Sequence, residues 1–349
     1  MATRSGSVPT AVTEASPSGI VTHPRDYRPV WWLPDGHSHT LWAALARRPP
    51  PPQVRHERFE LPDGDFVDLA HVGQADRPCV LVLHGLEGSL ASPHIRTVLQ
   101  AIDARGWHGV LMHFRGCSGE FNRLARNYHS GDTDDLRCVL SALRERHPGL
   151  PFGAVGYSMG GNVLLKYLGE SGANSGLAGA VAISVPFELG RAAWRLNQGF
   201  SKVYERHLIG SLQRKARAKL RVVPCPLDLT ALERWNDFKT WDDRYTAPLH
   251  GFRDAEDYYA QASSRQYLKH IATPTLLIHA SDDPFLPPAS IPVAADLAAD
   301  VTLELAARGG HVGFVAEPLA GVTEHWLDHR LCSFLATSFG AGVVPAIAR

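Results

Sequence analysis

From Cys79 onward the chain alternates between short, unbroken apolar runs and longer stretches of helical period. The runs are CVLVLHG, GVLMHFRG, PFGAVGYS, LAGAVAISVPF, TPTLLIHAS and VTLELAA, and each ends in glycine or a polar loop. Apolar runs of this length without polar alternation suit strands buried on both faces of a parallel sheet. Between them, PHIRTVLQAIDARG opens on Ser92-Pro93 and closes at Gly106, while DTDDLRCVLSALRERHPG opens on acidic residues and closes at Pro148-Gly149, as helix ends should. Upstream, HERFELPDGDFVDLAHV places two alternating runs around Pro62-Asp63-Gly64-Asp65, the pattern of an antiparallel hairpin with a tight turn. The fold class that follows is α/β, a mostly parallel doubly wound sheet with ligand sites at the carboxyl ends of its strands.

One interval breaks the alternation. Residues 188–269 contain no buried-strand run but many Arg, Trp, Tyr and Phe residues in helical segments such as GRAAWRLNQGFSKVYERHLIGSLQRKARAKL. We read them as a helical cap inserted between two core strands, the core comprising 26–187 and 270–340. Residues 1–25, rich in Ser, Thr, Pro and Gly, read as a disordered tail. RRPPPP, ending at Pro52, is a stiff connector ahead of the hairpin.

Composition narrows the function classes. Thirty-five basic residues balance 35 acidic ones, which gives no global attraction to nucleic acid or to an anionic surface. Locally, Arg191, Arg195, Lys202, Arg206, Arg214, Lys215, Arg217, Lys219 and Arg221 make the cap basic. We favour a solvated helix face, with contact to an anionic membrane surface as the alternative. The five cysteines are scattered, with no Cys-x-x-Cys pair and no zinc-type spacing, and with no apolar leader or spanning segment the expected home is a reducing cytoplasm.

The candidate chemistry begins at Gly156-Tyr157-Ser158-Met159-Gly160, a G-x-S-x-G between the strand PFGAV and the helical run GNVLLKYLGE. That context is what a nucleophile elbow needs, because the serine must sit in a strained strand-to-helix turn that small neighbours allow to close. His84-Gly85-Leu86-Glu87-Gly88 follows CVLVL, where this architecture supplies a second oxyanion donor, so the amides of Leu86 and Met159 are the candidate oxyanion hole. A serine of this kind needs a base and an orienting carboxylate downstream. Gly310-His311-Val312-Gly313 follows VTLELAA and Ser281-Asp282-Asp283-Pro284-Phe285-Leu286-Pro287 follows TPTLLIHA, which puts Ser158, an Asp and His311 in the chain order expected. The pattern acid, any residue, two apolar residues, proline points to Asp283, with Asp282 left as a turn cap. His279 lies inside an apolar strand and reads as a core histidine.

Together these residues resemble the α/β-hydrolase superfamily, and from about Trp31 to Phe334 the chain is similar to its YheT/EMB8-like branch, the AB-hydrolase-4 family. The closer resemblance rests on Pro34-Asp35-Gly36-His37-Ser38-His39-Thr40-Leu41, on HFRGCSGEFNRLARNYHSGDTDDL from His113 to Leu136, and on DDPFLP. His39 stands where the branch usually has glutamine. The resemblance implies carboxylesterase, medium-chain acylglycerol or phospholipid hydrolase, or acyl-CoA:alcohol acyltransferase chemistry. For Arg115-Gly116-Cys117-Ser118-Gly119 and Tyr128-His129-Ser130-Gly131 the residues themselves give a structural account, a strand end and a glycine-rich turn, with no catalytic role. The expected function is cleavage of a small-molecule carboxylic ester through an acyl-enzyme on Ser158, without metal or organic cofactor. Acyl transfer to an alcohol and a silent binding scaffold are the alternatives.

Overall fold

The computed structural model of the protein describes residues 19–322 and 325–340. Its nine strands are β1 (Gly19–Val21), β2 (Arg55–Glu60), β3 (Phe66–Val72), β4 (Cys79–Leu83), β5 (His108–Met112), β6 (Phe152–Tyr157), β7 (Gly179–Ile183), β8 (Thr275–Ala280) and β9 (Val301–Ala306). They form one sheet in the spatial order β1-β9-β8-β7-β6-β4-β5-β3-β2. The pairs β2–β3 and β3–β5 are antiparallel and all others parallel. The hairpin is therefore the β2–β3 edge, with Leu61 N–H donating to Asp65 O across its turn.

Helices α1 (Gly36–Leu45), α2 (Pro93–Ala104), α3 (Asp134–Arg146) and α4 (Met159–Ser171) alternate with the first strands. The two faces of the sheet are covered separately, as strand periodicity requires. Cys79, Leu81 and Leu83 of β4 pack in one core with Val139 and Leu140 of α3 and Val163 and Leu164 of α4. Val80 and Val82 pack on the other side with Val98 and Leu99 of α2. Between β7 and β8 come α5 (Leu189–Leu196), α6 (Lys202–Lys219), α7 (Phe238–Trp241), α8 (Ala247–His250) and α9 (Ala255–Ala262). They build two small apolar clusters of their own, around Tyr258 and around Trp241. Helix α10 (Trp326–Phe339) packs on the α2 side of the sheet.

The beginning of the chain corrects the sequence reading. Gly19–Val21, assigned above to a disordered tail, forms an edge strand parallel to β9. Trp326 Nε1–H then donates to Arg25 O, and the Tyr27 ring packs 4.5 Å from that of Trp326. Three residues carry too little periodicity to announce a strand, and their partner lies at the far end of the sequence. Residues 1–18 lie outside the described residues.

Within the basic run of the cap the side chains divide. Arg206, Arg214 and Arg217 are exposed, but Lys219 is buried and Lys215 is largely so. Lys219 Nζ donates to Asn122 Oδ1, Asn127 Oδ1 and the carbonyls of Ala125 and Arg126. Burial drops its pKa to about 8. The run is thus only partly a solvated face.

Candidate active site

The strands β6, β4, β8 and β9 end at one edge of the sheet, and the loops leaving them meet there. The first is the turn from β6 into α4. Ser158 has φ 51° and ψ −118°, a left-handed conformation that costs a non-glycine residue on the order of 1–3 kcal/mol. The flanking glycines make it possible: a Cβ on Gly156 would fall 2.6 Å from Gly160 O, and one on Gly160 would fall 2.5 Å from His84 O. Only glycine permits so close an approach.

His311 lies in the loop after β9. Its Nδ1 is 2.9 Å from Asp283 Oδ2 and its Nε2 is 2.9 Å from Ser158 Oγ. A carboxylate oxygen only accepts, so Nδ1 carries the hydrogen and Nε2 is left to accept from the serine hydroxyl. Phe285 stacks on the imidazole at 3.9 Å with the ring planes 3° apart, which fixes the plane of the base. Asp283 is buried, and its other oxygen accepts from Phe285 N–H.

Asp282 faces the other way. Its Oδ1 accepts from both Gly309 N–H and Gly310 N–H at 2.9 Å, so it caps the histidine loop and not its own turn. That loop is strained, with Val312 at φ 58° and Phe314 at φ 39°. It is also braced by the segment Gly36–Thr40. Thr40 Oγ1 accepts from His311 N–H and donates to Gly36 O, while His39 Nδ1 accepts from Val315 N–H. A Cβ on Gly310 would collide with Gly36 O. His279 lies buried in β8, where burial lowers its pKa to about 4.

The loop after β4 lies against Ser158 because β4 and β6 are neighbours. Gly85 is so close that a Cβ there would be 3.3 Å from the Ser158 Cβ. His84 Nε2 accepts from Phe114 N–H, so its Nδ1–H donates to Gly85 O at 2.7 Å, and Gly88 N–H donates to the same carbonyl. Two donors thus fix the Gly85–Leu86 peptide. In a trans peptide its N–H, that of Leu86, points opposite to the held carbonyl. Burial lowers the His84 pKa to about 3, so the ring stays neutral and keeps this tautomer. Among the described residues neither Leu86 N–H nor Met159 N–H has an acceptor within the protein.

Sequence reading passed over Glu87. It has φ 55° and its N–H donates to Tyr128 Oη. Its carboxylate accepts from Tyr128 Oη at 2.7 Å, Lys215 Nζ at 2.8 Å and Ser211 Oγ at 3.3 Å. The candidate oxyanion loop is in this way tied to α6 of the cap. Its place inside a Gly-rich motif was the one signal, and no sequence pattern pairs it with a lysine far downstream.

A cavity of about 620 Å³ opens on Ser158 and His311. One wall is Leu41, Ala43 and Ala44 of α1, and another is Leu189, Ala192, Ala193 and Leu196 of α5. The buried carboxyl of Asp242 also reaches it. Burial raises the Asp242 pKa to about 7, against the opposing effect of hydrogen bonds from Thr246 and Tyr259.

The α/β-hydrolase fold family matches residues 78–318. Over 318 residues the chain is 42% identical to YheT of Escherichia coli (strain K12), whose name provisionally assigns it as an esterase; the match covers 89% of this chain and 93% of that protein. Phospholipase ABHD3 of Mus musculus is 30% identical over 300 residues, covering 83% of this chain and 73% of that one. Among solved structures, the Pyrococcus furiosus esterase Pf2001 superposes with a TM-score of 0.54 at 17% identity over 82% of this chain and 92% of that chain, a likeness of fold. These matches, added to the sheet order and the strand-end loops, place the chain in the α/β-hydrolase superfamily, in its YheT/EMB8-like branch.

Proposed function

We propose that this protein, a carboxylic ester hydrolase of the esterase and lipase type, cleaves short- to medium-chain acyl esters or acylglycerols through an acyl-enzyme on Ser158. The observation that carries the reading is the chain Ser158 Oγ, His311 Nε2, His311 Nδ1, Asp283 Oδ2, with both contacts at 2.9 Å, beside an apolar cavity.

In this reading His311 takes the Ser158 proton as Oγ attacks the ester carbonyl, and Asp283 stabilises the imidazolium that forms. The tetrahedral oxyanion lies against the amides of Leu86 and Met159, of which the second is at the N-terminus of α4, where the helix dipole favours negative charge. His311 then protonates the leaving alcohol, and water activated by the same ring releases the acid. The cavity lies within the range that small-molecule sites occupy, and small apolar side chains from α1 and α5 give room for an acyl chain.

The test is hydrolysis of p-nitrophenyl esters from acetate to palmitate by the intact protein and by Ser158→Ala. Turnover peaking at short or medium chains and falling at least about 10⁴-fold in the variant is expected. Undiminished turnover by folded Ser158→Ala would sink the assignment.

A further inference from the structure

The mouth of the cavity has two apolar lips. On one side Leu45 of α1, 63% exposed, lines the cavity; Trp42, three residues earlier on the same helix, and Trp32 and Trp31, which precede that helix, are exposed as well. Trp32 and Trp42 pack edge to face at 4.6 Å, and Trp31 is 82% exposed. On the other side Val203 of α6 lines the cavity with about half its surface in water, and Phe200 just before it is similarly exposed. The lips adjoin, since the Phe200 ring lies 4.9 Å from that of His37 on α1. These six side chains are half of the twelve large apolar residues that the described surface exposes. A solvent-facing apolar concentration of this kind marks an interaction surface, and tryptophan is the side chain best suited to a boundary between water and hydrocarbon.

Charge identifies the partner. Arg48 follows α1, and Lys202 and Arg206 flank Val203 on α6; all three are exposed and, among the described residues, without an ion pair. The acidic residue between them, Glu205, is turned inward, where it accepts from Phe238 N–H. Asp35 at the same edge is engaged in capping α1 through Ser38. Exposed aromatics framed by cations fit a surface that is apolar beneath and anionic at its boundary.

We propose that the two lips dock the protein on an anionic phospholipid bilayer, with the mouth of the ester cavity set against the lipid. The ester substrate then reaches Ser158 from the bilayer and need not cross water. This deepens the hydrolase reading and rests on it for what enters the cavity, but docking itself is measurable without turnover.

The experiment is co-sedimentation of the full chain carrying Ser158→Ala with phosphatidylcholine vesicles, with and without phosphatidylglycerol, at low and high salt. Binding to the phosphatidylglycerol vesicles that weakens with salt, with a blue shift of tryptophan emission, is expected. The pair Trp31→Ser and Phe200→Ser should weaken binding about tenfold or more. The pair Lys202→Gln and Arg206→Gln should weaken it about 30-fold on anionic vesicles only. Circular dichroism checks that each variant is folded. No binding to either vesicle, or undiminished binding by both variant pairs, overturns the proposal. So does self-association in solution that Trp31→Ser abolishes, since the lips would then cover a second copy of the chain. Vesicle binding without serine-dependent turnover in the unmodified protein would instead overturn the hydrolase reading and leave the docking in place.

Discussion

Both ring nitrogens of His84 are committed to the backbone, one to Phe114 and one to Gly85, and the ring touches no part of the cavity's chemistry directly. Its effect on an oxyanion would pass through the peptide it holds. His84→Phe should therefore lower kcat by about 10²-fold with KM little changed, the signature of a donor lost only in the transition state, and steady-state kinetics on a soluble ester measures it. The adjacent aspartates make a second pair of outcomes. Asp283→Asn should lower kcat by about 10⁴-fold by presenting His311 in the wrong tautomer. Asp282→Ala should leave most of the activity and lower the unfolding free energy by about 1–3 kcal/mol, because two amides of the histidine loop lose their acceptor. Neighbouring side chains at a strand end point to opposite sides, and the Asp-x-apolar-apolar-Pro spacing was enough to prefer Asp283. Nothing comparable marked His84 or Glu87, whose partners are set by the crossing of loops distant in sequence.

At the level of elements, the strands buried on both faces were legible because a short unbroken apolar run, bounded by glycine or polar loops, leaves no face for water. The helices between them were legible from their caps. Helix α1 was not, although Asp35 caps it through Ser38 N–H, because its composition gives no apolar stripe of helical period. In the cap, α7 runs into a π-helical turn over Asp242–Thr246, a geometry no propensity announces, and this turn puts the Asp242 carboxyl beside the cavity. Asp242 titrates near 7 in the folded chain and near its ordinary 3.8 when unfolded, so between these values the folded state holds the extra proton. The stabilisation from this group is complete below about pH 4 and is lost as pH rises through 7. The melting temperature of Asp242→Asn should consequently gain on that of the unmodified protein as pH is raised from 4 to 8. A difference that shrinks over that range would contradict the assigned direction.

Across the whole molecule, the segment His113–Leu136 joins parts that the sheet alone leaves separate. Arg115 is buried and donates bidentately to Asp135 at 2.7 and 2.6 Å, and also to Asp63 and Asp65 of the hairpin turn. Asn122 continues from Asp65 to Lys219 of the cap. The structural account drawn from the sequence holds for Arg115, but the reach of this network from hairpin through Asn122 to cap was invisible because the residues it joins lie far apart in the chain. Arg115→Met should cost about 3–5 kcal/mol in denaturant unfolding by leaving buried carboxylates uncompensated. Cap and core should unfold in a single transition, which tryptophan fluorescence and far-ultraviolet circular dichroism would report at the same denaturant concentration.

The short strand β1 has a practical meaning for anyone trimming this chain. A boundary drawn at residue 26 from composition would strip Gly19–Val21 from β9 and leave that strand's outer N–H and C=O groups as an unpaired sheet margin, a template on which a second molecule can add. Preparations begun there should form concentration-dependent aggregates, whereas those retaining residue 19 and its neighbours keep that margin sealed.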